Sequence, residues 1–129
     1  MLFTSGDRIV FTGDSVTDAG RGRPVGEGLW QGVGDGYVRT IDNILNVVYP
    51  DWRLWVSNTG TGGDTSRSLK KRWQEDVMNL KPDWVSLMIG INDIWRQFDT
   101  PTIPEQHVYP AEYRENLCEM LERTLPVVK

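Results

Sequence analysis

The sequence predicts an α/β layered fold built on a parallel sheet. Strand-like and helix-like patterns alternate along the chain, the order expected of such a fold. The third strand pattern, residues 83–89, is apolar at nearly every position, as in a strand covered on both faces. Each strand pattern also runs straight into a segment of Gly, Asp, Asn and Thr, the composition of loops.

Residues 8–12, Arg-Ile-Val-Phe-Thr, are β-branched and aromatic and stop at Gly13, which reads as a buried strand. Residues 13–36 hold eight of the 13 glycines and are predicted to be mostly loop. Residues 37–48 place apolar side chains at 37, 38, 41, 44, 45 and 48, a helical spacing closed by Pro50. Residues 53–57 form the second strand pattern and residues 58–64 a second Gly-rich loop. Residues 65–80 carry Leu69, Trp73 and Val77 at four-residue spacing, an amphipathic helix with one buried stripe. Its Lys70-Lys71-Arg72 run reads as the solvated side. After Lys81-Pro82 comes the third strand, and then a polar, Pro-containing loop through Pro110. Residues 111–125 form the last helix, with Tyr113, Leu117, Met120, Leu121 and Leu125 on one side. Cys118, beside Leu117, is expected to pack.

The 129 residues suffice for one domain, and 39% of them are hydrophobic. Three strands are few for an open doubly wound sheet. The topology therefore predicts that residues 1–129 are the N-terminal portion of a longer α/β domain. A net charge of −4 excludes a nucleic-acid-coating surface, and no apolar run is long enough to span a bilayer. The first residues show neither a basic nor an apolar leader region, so the expected location is cytoplasmic. Cys118 and His107 are the only residues of their types. They build no internal disulfide and no structural zinc site.

Ligands of open parallel sheets bind at the C-terminal strand ends, near the point where strand order reverses. The first strand ends in Gly13-Asp14-Ser15-Val16-Thr17-Asp18, the second in Asn58-Thr59-Gly60-Thr61-Gly62-Gly63-Asp64-Thr65, the third in Gly90-Ile91-Asn92-Asp93. All three are expected to converge on one edge. Ser15 there either presents its hydroxyl or caps a helix. Gly62-Gly63 either donates backbone N–H groups to an anion or forms a tight turn. The loop lacks the Lys-Ser/Thr ending that grips phosphate. Asn92 is either an amide donor to a developing oxyanion or a turn residue. Together, a hydroxyl, a backbone donor and an amide donor suit acyl transfer.

In order and approximate spacing, these three blocks resemble the first three conserved blocks of the SGNH (GDSL-type) hydrolases. The strings Asp18-Ala-Gly-Arg-Gly-Arg-Pro24, Lys81-Pro-Asp-Trp-Val-Ser86 and Met88-Ile-Gly-Ile-Asn-Asp-Ile-Trp-Arg96 are most similar to the intracellular acetylxylan esterase branch. The resemblance implies a flavodoxin-like three-layer α/β/α fold without metal or organic cofactor. It implies Ser15 as nucleophile, with the N–H groups of Ser15 and Gly63 and the Asn92 side chain as oxyanion hole. Asp14, Asp93 and Trp95 are the expected substrate-binding residues. The implied substrate is an acetylated xylo-oligosaccharide or another small ester, and the implied assembly a homo-oligomer without nucleic-acid or membrane partners.

The chain departs from the family in one respect. The family's Asp-x-x-His base pair occurs nowhere in the sequence. His107, in the loop after the third strand, reads as a surface histidine rather than a substitute base. Trp73 and Trp84 are expected in the core, whereas Trp30 and Trp95 fall in loops where an indole suits a sugar face. Asp14, Asp18, Asp64 and Asp93 beside Gly and Asn are turn chemistry rather than a metal site. Within the esterase reading, a short-chain acyl esterase or thioesterase is open. The reading from another class is a non-catalytic carbohydrate-binding module derived from such an esterase.

Overall fold

The computed structural model describes residues 2–30 and 32–129. Strand β1 (Arg8–Gly13) is flanked by β3 (Trp55–Asn58) on one side and β4 (Trp84–Met88) on the other, both parallel to it. Ile9 faces Val56 and Trp84, and Gly13 faces Met88, in that register. A two-residue strand, β2 (Gly26–Glu27), adds antiparallel to β3 and completes the order β2-β3-β1-β4. The sheet is therefore mixed, where the sequence suggested a purely parallel one.

Alternate residues of β1 serve two different cores, as the period of a strand requires. Ile9 and Phe11 pack with Val33, Val56 and Val38 of α2 (Tyr37–Val48). Val10, on the other face, packs with Leu69 and Trp73 of α3 (Ser66–Asp76), with Val77, and with Met120 of α5 (Pro110–Thr124). Helices thus cover both faces, giving a three-layer α/β/α architecture. The stripe Leu69, Trp73 and Val77 is fully buried, as its spacing predicts.

Four local expectations need correction. Two helices form where loops were expected: a single turn, α1 (Ser15–Asp18), and α4 (Ile91–Asp99). Ile91, Ile94, Trp95 and Phe98 give α4 a helical apolar spacing, which the polar residues and the prolines that follow obscured. Strand β4 has no fully buried residue. It stands at the sheet edge among the described strands, so one of its sides meets no strand. The last helix turns Asn116, Met120 and Thr124 inward, while Leu121 and Leu125 are exposed. Cys118 is likewise exposed rather than packed.

Gly13 shows why β1 ends where it does. A methyl group built there would meet the Met88 carbonyl oxygen and stand 2.7 Å from Thr17 Oγ1. Only a residue without Cβ lets β4 and α1 approach so closely. The chain can then turn into α1 directly at the strand end.

Candidate active site

Strand order reverses at β1, so the loops after β1, β3 and β4 meet above its C-terminal end. Asp14 caps α1: its carboxylate, nearly inaccessible, accepts from the Val16 N–H at 3.0 Å. Ser15 is therefore the first helical residue rather than the cap, and it is exposed. The N–H groups of residues 16–19 all find acceptors on Asp14 or Ser15. Among the described residues the Ser15 N–H has no acceptor, and its hydroxyl has no hydrogen-bond partner.

The loop after β3 is held almost throughout. Thr59 N–H donates to Phe11 O, Gly60 N–H to Asn58 Oδ1, Thr61 N–H to Gly13 O and Gly62 N–H to Asp18 Oδ2, each at 2.8–3.0 Å. Asp64 N–H donates to Thr61 O, Thr65 N–H to Ser68 Oγ, and Ser66 N–H to the Asp93 carboxylate. Among the described residues, only the Gly63 N–H of this stretch lacks an acceptor. Gly63 lies at φ +83°, in the left-handed region that favours glycine. Gly62 brings the loop to the serine: a methyl group on it would stand 3.9 Å from Ser15 Cβ.

Asn92, in the first turn of α4, donates its side-chain amide to the Asp64 carbonyl at 2.8 Å. That bond uses one of its two N–H groups and leaves the other for a ligand. Ser15, Gly63 and Asn92 are thus gathered around one loop. Asp93 points the other way. It is buried, accepts the Ser66 N–H and the Ser66 hydroxyl, and so ties α4 to the start of α3. Asp93 therefore spends both oxygens on the protein's own donors, and Asp14 spends Oδ1. Trp95 is just over half exposed and lies on α4, not in a loop. It shares an open apolar face with Ile91, Ile94 and Phe98.

Several residues that frame the site were not singled out from the sequence. Arg72 is the clearest, since its place in a charged run suggested a solvated face. Its side chain instead reaches Gly13 O, Thr59 O, Asp64 Oδ2 and Asp76 Oδ2, at 2.6–3.1 Å. The visible signal was its position one residue before Trp73, on the flank of the buried stripe. Arg21 is buried and donates to Gly60 O, Gly22 O and Pro24 O. Burial, with help from Arg23, pulls its guanidinium down to about 10, which still leaves it charged at neutral pH. Burial pushes the Asp18 carboxyl up, but hydrogen bonds from Arg23 and the Gly62 N–H hold it below its ordinary value.

His107 is not a surface residue. It is 7% exposed, with Nε2 3.0 Å from Thr100 O and Nδ1 3.3 Å from the Tyr109 hydroxyl. A carbonyl can only accept, so Nε2 carries the proton and Nδ1 receives the tyrosine hydroxyl. Among the described residues, no three His, Cys, Asp or Glu side chains cluster as metal ligands.

Fold and site together define a layered α/β domain with its polar centre above the middle strand. Residues 11–128 match the model of the GDSL-like lipase/acylhydrolase family, and the chain belongs to that family. It is 50% identical, over all 129 residues, to an acetylxylan esterase of Geobacillus stearothermophilus. The crystal structure of that bacterium's acetylxylan esterase Axe2 superposes with a TM-score of 0.97 at 50% identity. The crystal structure of LAE5, an α/β hydrolase from the metagenome of Lake Arreo, Spain, gives 0.96 at 49%. Both alignments cover 100% of this chain. The chain spans 59% of the length of the esterase and 60% of LAE5. Axe2 has also been crystallised as catalytic mutants with alanine in place of a serine, a histidine and an aspartate.

Proposed function

We propose that this chain carries the nucleophile and oxyanion hole of a serine esterase that removes acetyl groups from the hydroxyls of xylo-oligosaccharides. The observation that carries the reading is the pair of free backbone donors. The N–H groups of residues 16–19, 59–62 and 64–66 all find acceptors, whereas those of Ser15 and Gly63 beside them have none among the described residues. Both residues are exposed, and unpaired N–H groups in such a position suit an oxygen that becomes negative during reaction.

In this reading Ser15 Oγ attacks the ester carbonyl carbon and loses its proton to a base. The carbonyl oxygen becomes an oxyanion held by the Ser15 and Gly63 N–H groups and the free Asn92 N–H. Collapse expels the sugar hydroxyl, which takes a proton, and leaves an acetyl-serine that water hydrolyses. Asp14 and Asp93 act as positioning residues, one fixing the turn that presents Ser15, the other the helix that presents Asn92. The base is the component these residues do not supply. His107 is engaged at both ring nitrogens, and no Asp-x-x-His pair is present. Triad enzymes deprived of one member keep only about 10³–10⁴-fold catalysis over water. The chain by itself is therefore expected to turn over esters weakly.

A fluorophosphonate probe with peptide mapping tests the assignment. Labelling is expected at Ser15, absent in Ser15→Ala, and slowed about 10²–10³-fold in Asn92→Ala. Brisk aryl-acetate hydrolysis that Ser15→Ala abolishes shows instead that another base substitutes. A second reading rests on exposed indoles, since Trp30 is 94% exposed and Trp95 56%. Under it the chain is a carbohydrate-binding module. A xylo-oligosaccharide then changes tryptophan fluorescence while Ser15 stays unlabelled. The exposed, free Cys118 suits the reducing cytoplasmic setting of the proposal.

A further inference from the structure

Asn92 and Arg96 are four residues apart on α4 and therefore share a face. Asn92 reaches the loop at Asp64, and Arg96 reaches it one residue earlier. A methyl group built on Gly63 would stand 3.5 Å from Arg96 Nη2. The other terminal nitrogen, Nη1, is bound to Asp99 Oδ2 at 2.6 Å. Nη2 has no hydrogen-bond partner among the described residues. The guanidinium thus has one nitrogen anchored to a carboxylate and the other against the free-amide glycine.

We propose that Arg96 supplies a fixed positive charge to the anionic oxygen held at Gly63, and that Asp99 tunes that charge. The proposal rests on the oxyanion site described above and adds a component to it. Backbone and side-chain amides offer only partial charges. A guanidinium beside them offers a full one. Its field favours charge that develops in the transition state over the neutral ester, which is the differential stabilisation catalysis requires. Asp99, bonded to the nitrogen farther from the glycine, partly cancels this field.

The two members of the ion pair should therefore have opposite effects. A merely structural ion pair loses its function equally from either side. Acetate serves as the anionic probe, because its binding does not depend on whether Ser15 is activated. The Gly63 backbone amide and the Asn92 side-chain amide are followed by NMR during acetate titration of the whole chain. Arg96→Gln is expected to weaken acetate binding by about three- to thirtyfold. Asp99→Asn is expected to tighten it by roughly two- to fivefold. Arg96→Lys should recover part of the loss, and added inert salt should shrink all these differences.

Fluorophosphonate labelling of the same variants gives an independent second readout, expected to slow in Arg96→Gln and quicken in Asp99→Asn. Unchanged acetate affinity in Arg96→Gln overturns the proposal. So does equal weakening in both variants, and so does an unshifted Gly63 amide. Acetate affinities in the expected order across the variants, with no labelling of Ser15 in the wild-type protein, overturn the nucleophile assignment and leave the role of Arg96 supported.

Discussion

Arg72 holds the ends of β1 and β3 together through Gly13 O and Thr59 O, and it fixes Asp64 at the same time. A planar fork with several donors can serve these acceptors at once, while a lysine ammonium at the end of a single stem cannot. Arg72→Lys is expected to lower stability by about 1.5–3 kcal/mol in urea denaturation. It should also slow labelling of Ser15, because the loop bearing Gly63 loses its brace. Gly13→Ala should cost about 1–3 kcal/mol by forcing β4 away from β1, read as a lowered denaturation midpoint with unchanged m-value. At this scale the sequence indicated that Ser15, Gly63 and Asn92 would gather at one edge, because residues that follow buried strands have few places to go. It was silent about Arg72 and Arg96. A charge in a helix reads as solvated until the partner loops are placed in space, and those partners are distant in sequence.

The helices differ in how visible they were. For α2, α3 and α5 an apolar period was on the page, and α3 adds a capping box in which Thr65 and Ser68 satisfy each other's backbone N–H groups. Trp73, fully buried with its Nε1 donating to Thr124 Oγ1, anchors α3 between the sheet and α5. Trp73→Ala should cost about 3–5 kcal/mol in the same denaturation assay. Helices α1 and α4 were missed, and α4 carries both Asn92 and Arg96. Its attachment is polar rather than apolar: Asp93 grips Ser66, and Asn116 of α5 donates to the Ser66 hydroxyl. Asp93→Ala strands those donors and is expected to cost about 1–3 kcal/mol per unsatisfied group. Local melting of α4, seen as lost Asn92 amide dispersion in NMR spectra, should accompany it. The apolar period of α4, Ile91, Ile94, Trp95 and Phe98, faces outward, and the polar residues and prolines that follow hid it. The two-residue β2 was below the length at which any pattern can be recognised.

Taken whole, the molecule should be sensitive to acid. Burial pushes the Asp7 carboxyl up, but Lys129, the Thr4 N–H and the Trp84 indole together hold it below its ordinary value. The Arg8 N–H and Lys129 do the same for Asp83, and Arg67 for Glu112. Carboxyls whose values are lower folded than unfolded stabilise the fold above their unfolded values, 3.8 for aspartate and 4.5 for glutamate. That contribution disappears as pH falls through the folded values. Thermal midpoints should be flat from neutrality to about pH 5 and drop steeply below about pH 4, with a shallower drop in Asp7→Asn. The outer side of β4 and the apolar face of α4 should also promote self-association. Sedimentation velocity is expected to show mass rising with concentration, and a stable monomer at all concentrations counts against it. The alternation of elements was readable in advance. The partial exposure of β4 was not, because an apolar strand looks the same whether or not a neighbour covers it.

The two idle amides have one more consequence. Residues 59–66 sit in a net of acceptors that Arg72, Arg21 and Asp18 keep taut. In deuterated solvent most of this loop should keep its protons as long as the surrounding sheet does, since opening any one bond disturbs the rest. The Gly63 proton, and that of Ser15 across the gap, should be gone almost at once. A quiet loop with two quick positions is the isotopic signature of a site that needs no rearrangement to receive an oxygen.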